Sequence, residues 1–294
     1  MARDLFDRYD HVKRRFALAN EILGFDLAKI CFDGPEDELR QTRVTQPALY
    51  VHSVIVAELL AEHNITPQIA AGHSLGEYSA LASAGAFSFE TGLELVKVRA
   101  AAMQSAGEER PGTMAAIVGL DNAKVEEICQ GLASIGIVVP ANYNSPGQLV
   151  ISGEVPAVEK AMELCKAAGA KLVRKLVVSG AFHSPLMASA ADKLDDALKR
   201  AAINTPLVPV TSNVSGLAHS DAAGIRVKLS EQLLSPVRWT EGLLAMQEHA
   251  PTRWLELGPG NVLSGLLKRT VNGAVGQTVG TAGELDALRT GATA

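Results

Sequence analysis

The spacing of apolar and polar positions along the first third of the chain is typical of a mixed α/β protein. Apolar residues recur three and four positions apart in several segments, which predicts amphipathic helices, and a short apolar run predicts a buried strand. The predicted elements are helices over 4–23, 45–63, 77–84 and 88–104 and a strand over 69–71. This alternation of helices with short buried strands favours a parallel sheet.

Between residues 113 and 178 the pattern changes. The predicted elements there are a strand over 114–118, a helix over 123–132, a hairpin over 137–152 that turns at 144–147, a helix over 155–168 and a strand over 171–178. This βαββαβ order is typical of a ferredoxin-like unit. We therefore expect residues 111–178 to form a ferredoxin-like small domain inserted into a larger domain made of residues 1–110 and 179–294.

After the insert, the α/β pattern resumes. The predicted elements are a helix over 185–200, a strand over 208–212, helices over 227–234 and 240–249, a strand over 253–257 and a helix that ends at 269. The tail from Asn272 is rich in Gly, Thr and Ala, and we expect it to be partly mobile.

Composition excludes several classes of function. The net charge of −5 is modest for 294 residues and both signs are interspersed, so we expect no nucleic-acid or membrane-surface binding. No apolar run approaches the length that spans a bilayer, and residues 1–15 are charged where a signal peptide needs an apolar stretch, which predicts a cytoplasmic protein. The three cysteines, Cys31, Cys129 and Cys165, lack the spacing of a disulfide framework or a zinc site and are expected in the core.

The segment Gly72-His73-Ser74-Leu75-Gly76 has the form of a nucleophile elbow, a serine on a sharp turn between a strand and a helix. The two glycines let the backbone approach itself closely, and the Leu75 N–H is the first candidate donor to an oxyanion. Because this short pattern also occurs in chains without a serine nucleophile, other residues must support it.

A serine nucleophile needs a base, and the chain has seven histidines. His183 lies between the end of an apolar strand and a helix that opens at Ser184, which predicts a position in a cleft; a packing or capping role is the alternative. His73 flanks Ser74, but its side chain should point away, which leaves it a structural role or a part in shaping the pocket. None of the acidic residues between Ser74 and His183 stands where a triad acid would, which favours a neutral acceptor that holds the histidine.

Arg99 lies on the apolar stripe of its predicted helix, with no carboxylate within one turn on that face. A buried guanidinium is costly without a partner, so an anion must come from elsewhere. A salt bridge to a distant acid, or a side chain that extends to solvent, would satisfy it. The functional alternative is a bidentate clamp for a substrate carboxylate.

Several ordered motifs together resemble the malonyl-CoA:acyl carrier protein transacylase family. They are Gln46-Pro47-Ala48-Leu49, the segment 72–80, Val98-Arg99, the segments 142–148, 180–187 and 232–239, and Glu256-Leu257-Gly258-Pro259-Gly260. The resemblance implies that Ser74 is the acylated nucleophile, His183 its base and Arg99 the anchor of the malonyl carboxylate. It further implies that the main-chain carbonyl of Gln232 orients His183 and that Gln46 and His73 line the substrate pocket.

The resemblance implies an α/β-hydrolase-like parallel-sheet domain with the ferredoxin-like insert and an active site between them. Malonyl-CoA and acyl carrier protein would be its substrates, with no metal or redox cofactor. Members of the family usually begin with a buried strand and a Gly-Gln-Gly turn that supplies a second oxyanion donor, and this sequence starts after it. Two alternatives therefore remain: a serine thioesterase or hydrolase, and a catalytically impaired protein that binds the carrier.

Overall fold

Helices and short strands alternate along residues 1–290, the part of the chain that this computed structural model describes. The elements are α1 (Arg3–Arg8), α2 (Asp10–Leu23), α3 (Leu27–Asp33), α4 (Glu36–Leu39), α5 (Thr42–Glu62), α6 (Gly76–Ser83), α7 (Phe89–Glu109), β1 (Thr113–Val118), α8 (Asn122–Gln130), β2 (Val138–Ser145), β3 (Gln148–Gly153), α9 (Val155–Ala167), β4 (Leu172–Lys175), α10 (Ala188–Arg200), α11 (Ala222–Gln232), α12 (Trp239–Gln247), β5 (Trp254–Leu257), α13 (Val262–Thr270), β6 (Gly276–Val279) and α14 (Ala282–Thr290). The predicted mixed α/β class is confirmed.

The centre of the larger part is the packing of α5 against α7. Helix α5 buries Ile55 and Leu59 completely, and α7 also packs against α10. By length and composition α5 could span a bilayer, with a mean hydropathy of 1.3, so the expectation that no segment is so apolar is wrong. Helix α5 is apolar because it lies in the protein core, where 67% of that apolar stretch is buried.

The helix predicted over 4–23 is divided in two. Tyr9 has an extended backbone (φ −118°, ψ 120°) that ends α1 and begins α2. The break lets α1 fold back, so that Phe6 meets the rings of Phe16 and Phe32 edge-on or tilted, with centroids 5.7 and 5.0 Å away. Such contacts add to the stabilisation from buried area.

The insert forms a separate antiparallel sheet in the order β2-β3-β1-β4, with the strand and helix order predicted from the sequence. Helices α8 and α9 pack on one face and share an apolar cluster with it. The other face contributes Met114, Ala141 and Val150 to a cluster that includes Phe182, next to the candidate base. Strand β4 is shorter than the predicted 171–178.

The parallel sheet predicted for the larger part is present only in fragments. Strands β5 and β6 pair in parallel, whereas the predicted strands over 69–71 and 208–212 meet in one bridge, Ala70 to Val210. Pro209 has no N–H to donate to a ladder, and Thr211 turns to pair with Ala218. The bridge nevertheless fixes the start of the segment that carries Ser74.

The expectation of a partly mobile tail is wrong for residues 276–290, which form β6 and α14, while residues 291–294 of that tail lie outside the described part. Leu285 and Leu288 of α14 are buried in the main core. The Glu284 carboxylate accepts the N–H groups of Gly280 and Thr281 and so caps the helix start. Periodicity in this short, small-residue segment is too weak to show from sequence that it packs.

Candidate active site

Ser74 lies on a tight turn immediately before α6. Its backbone is in the left-handed region (φ 53°), which is unusual for a residue with a side chain and is found at nucleophile elbows. The Ser74 N–H donates to Asn213 Oδ1 at 2.6 Å, and the Asn213 amide donates to the Gly72 carbonyl at 2.8 Å. Both hydrogen bonds fix the turn to Asn213, a residue outside it. They leave the Ser74 hydroxyl free to point toward His183, the candidate base.

At Gly72 the backbone of the elbow passes very close to the backbone of Gly76. A Cβ at this position would lie 1.9 Å from the carbonyl group of Gly76, whereas one at Gly76 would meet no atom within 4 Å. The sequence predicts a close approach of the backbone at both glycines, and the geometry requires it only at Gly72. Within residues 1–290 the Leu75 N–H makes no hydrogen bond, so it is open to an incoming acceptor.

The side chain of His183 lies within hydrogen-bond distance of Ser74, as the sequence predicts. Its Nε2 lies 2.8 Å from Ser74 Oγ, and its Nδ1 lies 2.8 Å from the main-chain carbonyl of Gln232. Because a carbonyl oxygen only accepts, Nδ1 carries the proton and Nε2 presents its lone pair to the hydroxyl. Gln232 is the last residue of α11, where the carbonyls have no partner within the helix.

His183 is almost fully buried, and this sets its charge. Burial, together with the nearby positive charge of Arg99, lowers the pKa of His183 from 6.5 to about 3. The imidazole is therefore neutral at physiological pH and able to take a proton. The arrangement is that of a serine hydroxyl and a histidine base, in which a neutral acceptor rather than a carboxylate holds the histidine.

Arg99 reaches Ser74 from α7. One guanidinium nitrogen donates to Ser74 Oγ at 2.9 Å and to Gln232 Oε1 at 3.0 Å, and the other donates to Gln46 Oε1 at 2.5 Å. The residue is only 1% exposed, and its Nε has no hydrogen-bond partner in the described part of the chain. Burial lowers the pKa of Arg99, although such a guanidinium stays charged. The site thus presents an unpaired donor and a buried positive charge.

His73 points away from the nucleophile, in agreement with the expectation from its position. Its Nε2 donates to Asn144 Oδ1 at 2.8 Å on the insert, and its ring packs near Trp239 with centroids 5.5 Å apart. Burial lowers the pKa of His73. This residue therefore joins the elbow to the small sheet.

Three polar residues that surround the elbow were not predicted from the sequence: Glu77, Asn213 and His219. Asn213 follows the predicted strand over 208–212, and polar residues at strand ends near an elbow are a usable signal. Glu77 is inside the elbow motif and is completely buried. Its carboxylate supplies the distant negative charge that the apolar surroundings of Arg99 require.

The comparisons with known proteins agree with this geometry. Residues 1–287 match the family model described as an acyl transferase domain. Malonyl CoA-acyl carrier protein transacylases of Escherichia coli O157:H7 and Bacillus subtilis strain 168 are each 44% identical to the chain, over 273 and 270 residues that cover 92% of it and 88% and 85% of the relatives. The chain belongs to this transacylase family.

A solved structure is also similar to this chain over nearly its whole length. It is a malonyl-transacylase in complex with a type II PKS acyl-carrier protein, with a TM-score of 0.95 and 43% sequence identity, covering 99% of this chain and 94% of the other. Together with the matched family model, this similarity makes the chain an acyltransferase.

The low pKa of His183 predicts that Ser74 of this acyltransferase keeps its reactivity in mild acid. We expect the rate at which phenylmethylsulfonyl fluoride modifies Ser74, followed by mass spectrometry, to change little between pH 7.5 and 5.5. A base of the ordinary pKa near 6.5 would lose about tenfold of its neutral form over this range.

A tenfold fall with a midpoint near pH 6.5 would contradict this prediction. Circular dichroism at each pH should be recorded in parallel to check that the protein remains folded. Below pH 6.5 the unfolded chain takes up a proton that buried His183 does not, so stability decreases as the pH falls.

Proposed function

We propose that this chain moves a malonyl group from malonyl-CoA to the phosphopantetheine thiol of acyl carrier protein through an acyl-serine intermediate. The observation that carries the proposal is that neutral His183 and buried Arg99 both lie within hydrogen-bond distance of Ser74 Oγ. A nucleophile and base alone suit any acyl transfer. The buried guanidinium beside them favours an acyl group that carries its own carboxylate.

In the first half-reaction Ser74 Oγ attacks the thioester carbonyl while its proton passes to His183 Nε2. The Leu75 N–H donates to the oxygen that becomes negative. When the tetrahedral intermediate collapses, the C–S bond breaks and the CoA sulfur takes the proton from His183. The Gln232 carbonyl keeps the imidazole in the required tautomer and supports the transient imidazolium.

In the second half-reaction the carrier thiol gives its proton to His183 and its sulfur attacks the malonyl ester. The bond between the acyl carbon and Ser74 Oγ breaks, and Ser74 regains its proton. The enzyme returns to its starting state with no net change in protons or electrons.

Arg99 binds the free carboxylate in both half-reactions. Its planar guanidinium, which Gln46 and Gln232 hold in place, supplies the fork of donors that suits a carboxylate. An acetyl group would leave this buried charge without the anion. Gln46 and His73 complete the wall of the pocket.

We further propose that residues 1–110 and 179–294 form an α/β-hydrolase-like domain and that residues 111–178 form a ferredoxin-like domain. The strand order β2-β3-β1-β4 with both helices on one face supports the second assignment. The contact from His73 to Asn144 supports an active site between the domains. We infer that the protein acts in the cytoplasm.

The proposed function predicts malonyl transfer that depends on both Ser74 and His183. We expect Ser74→Ala and His183→Ala each to lower the rate of transfer to holo carrier protein at least about a thousandfold, because the intermediate cannot form. Ser83→Ala, at the last residue of α6, is the matched control and should retain full activity.

Two outcomes would overturn the transferase assignment. Rapid loss of the thioester to water without carrier protein would identify a hydrolase. Binding of the carrier with no transfer by the unaltered chain would identify a protein that binds the carrier without catalysis.

The anchoring role of Arg99 predicts a change in selectivity. We expect Arg99→Ala to lower malonyl transfer on the order of a hundredfold and to reduce the preference for malonyl-CoA over acetyl-CoA, because a buried charge pair contributes roughly 2–5 kcal/mol. The exposed Arg14→Ala is the matched control. An unchanged ratio of the two kcat/KM values in a folded Arg99→Ala variant would remove Arg99 from the substrate site.

A further inference from the structure

Glu77 is a buried carboxylate to which the mechanism above gives no role. It lies three residues after Ser74, is 0% exposed and is surrounded by polar side chains rather than by solvent. A buried carboxylate is costly unless it is fully hydrogen-bonded or paired with a positive charge. The contacts of Glu77 therefore indicate which neighbouring side chains its carboxylate positions.

Both carboxylate oxygens are fully engaged. Oε2 accepts from the side-chain amide of Gln232 at 2.7 Å and from the Asn213 N–H at 3.1 Å, and Oε1 accepts from His219 Nε2 at 2.7 Å. The His219 side chain is as buried as that of Glu77. Glu77 thus lies between His219 on one side and two residues of the active site on the other.

The contact with Gln232 determines which way its amide faces. The NH2 group donates to Glu77 and to the Ser74 carbonyl, at 2.7 and 3.0 Å, which directs Oε1 at Arg99. The opposite orientation would place the NH2 group against a guanidinium and the oxygen against a carboxylate. The charge of Glu77 therefore excludes the orientation in which Gln232 would repel Arg99.

The same carboxylate balances the charge of Arg99 across the Gln232 amide. Arg99 and Glu77 are not in direct contact. Burial lowers the pKa of Arg99, and the Tyr78 side chain and the negative charge of Glu77 act against that effect. The two terminal guanidinium nitrogens are held in place by their acceptors, Gln46, Gln232 and Ser74. The arrangement orders the anion site before any anion arrives.

We propose that Glu77, itself held by His219, is a positioning residue that acts through Gln232 to keep Arg99 oriented toward the carboxylate of the acyl group. The inference rests on the proposed function, because it names what orders the carboxylate anchor of that site. It assigns Glu77 to substrate selection rather than to the proton transfers.

The test is Glu77→Gln, which keeps the shape and removes the charge. We expect KM for malonyl-CoA to rise about tenfold and the preference for malonyl-CoA over acetyl-CoA to fall about tenfold, with a smaller change in kcat. The fraction of molecules that can be acylated at Ser74 should stay unchanged. The exposed Glu94→Gln, which alters net charge equally, is the matched control.

A purely structural role gives a different result. Glu77→Gln would then lower the acylatable fraction or the melting temperature and leave KM and the malonyl preference of the folded molecules unchanged, which would overturn the proposal. If the unaltered chain and Glu94→Gln transfer no malonyl group, the proposed function fails instead.

A second pair of variants keeps the test valid if Glu77→Gln does not fold. His219→Ala removes one donor to Glu77 and should raise KM and lower the malonyl preference in the same direction by about threefold. His219→Gln restores an N–H donor and should recover most of that loss. Equal KM values in His219→Ala, His219→Gln and the unaltered chain would contradict the proposal.

Discussion

The structure depends on the cost of burying the guanidinium of Arg99 beside a serine hydroxyl. An isolated charge in the protein interior is strongly unfavourable, and three other helices contribute acceptors or a balancing charge. Gln46 comes from α5, Gln232 from α11 and the Glu77 carboxylate from α6. The positions of these three side chains and the chemistry of the site thus follow from one electrostatic requirement.

Gln232 connects the parts of the site. Its main-chain carbonyl holds His183, its side-chain oxygen holds Arg99 and its side-chain nitrogen holds the Ser74 carbonyl and Glu77. Because one residue at a helix end makes all these contacts, the base and the cation cannot move independently. A glutamate side chain at this position would place a carboxylate against Arg99 and neutralise its charge.

Local patterns in the sequence singled out Ser74, His183 and Arg99 as candidates, with structural alternatives left open for each, but did not single out the residues that support them. Ser74 and His183 stand at recognisable strand and helix boundaries, and Arg99 is conspicuous as a charge on an apolar stripe. Asn213 and His219 reach the elbow only through the fold, across more than a hundred residues, so periodicity gives no sign of them. For the same reason the break at Tyr9 and the packing of α14 were not predicted, since both depend on tertiary contacts.

The central claim is that Ser74 becomes acylated by a malonyl group under the control of a neutral base and a buried cation. The most direct measurement is the intact mass of the chain after brief exposure to malonyl-CoA, with the modified peptide then identified. The account predicts one malonyl adduct, located on Ser74, and little or none from acetyl-CoA. A folded, monodisperse sample that forms no adduct, or that carries it on another residue, would contradict it.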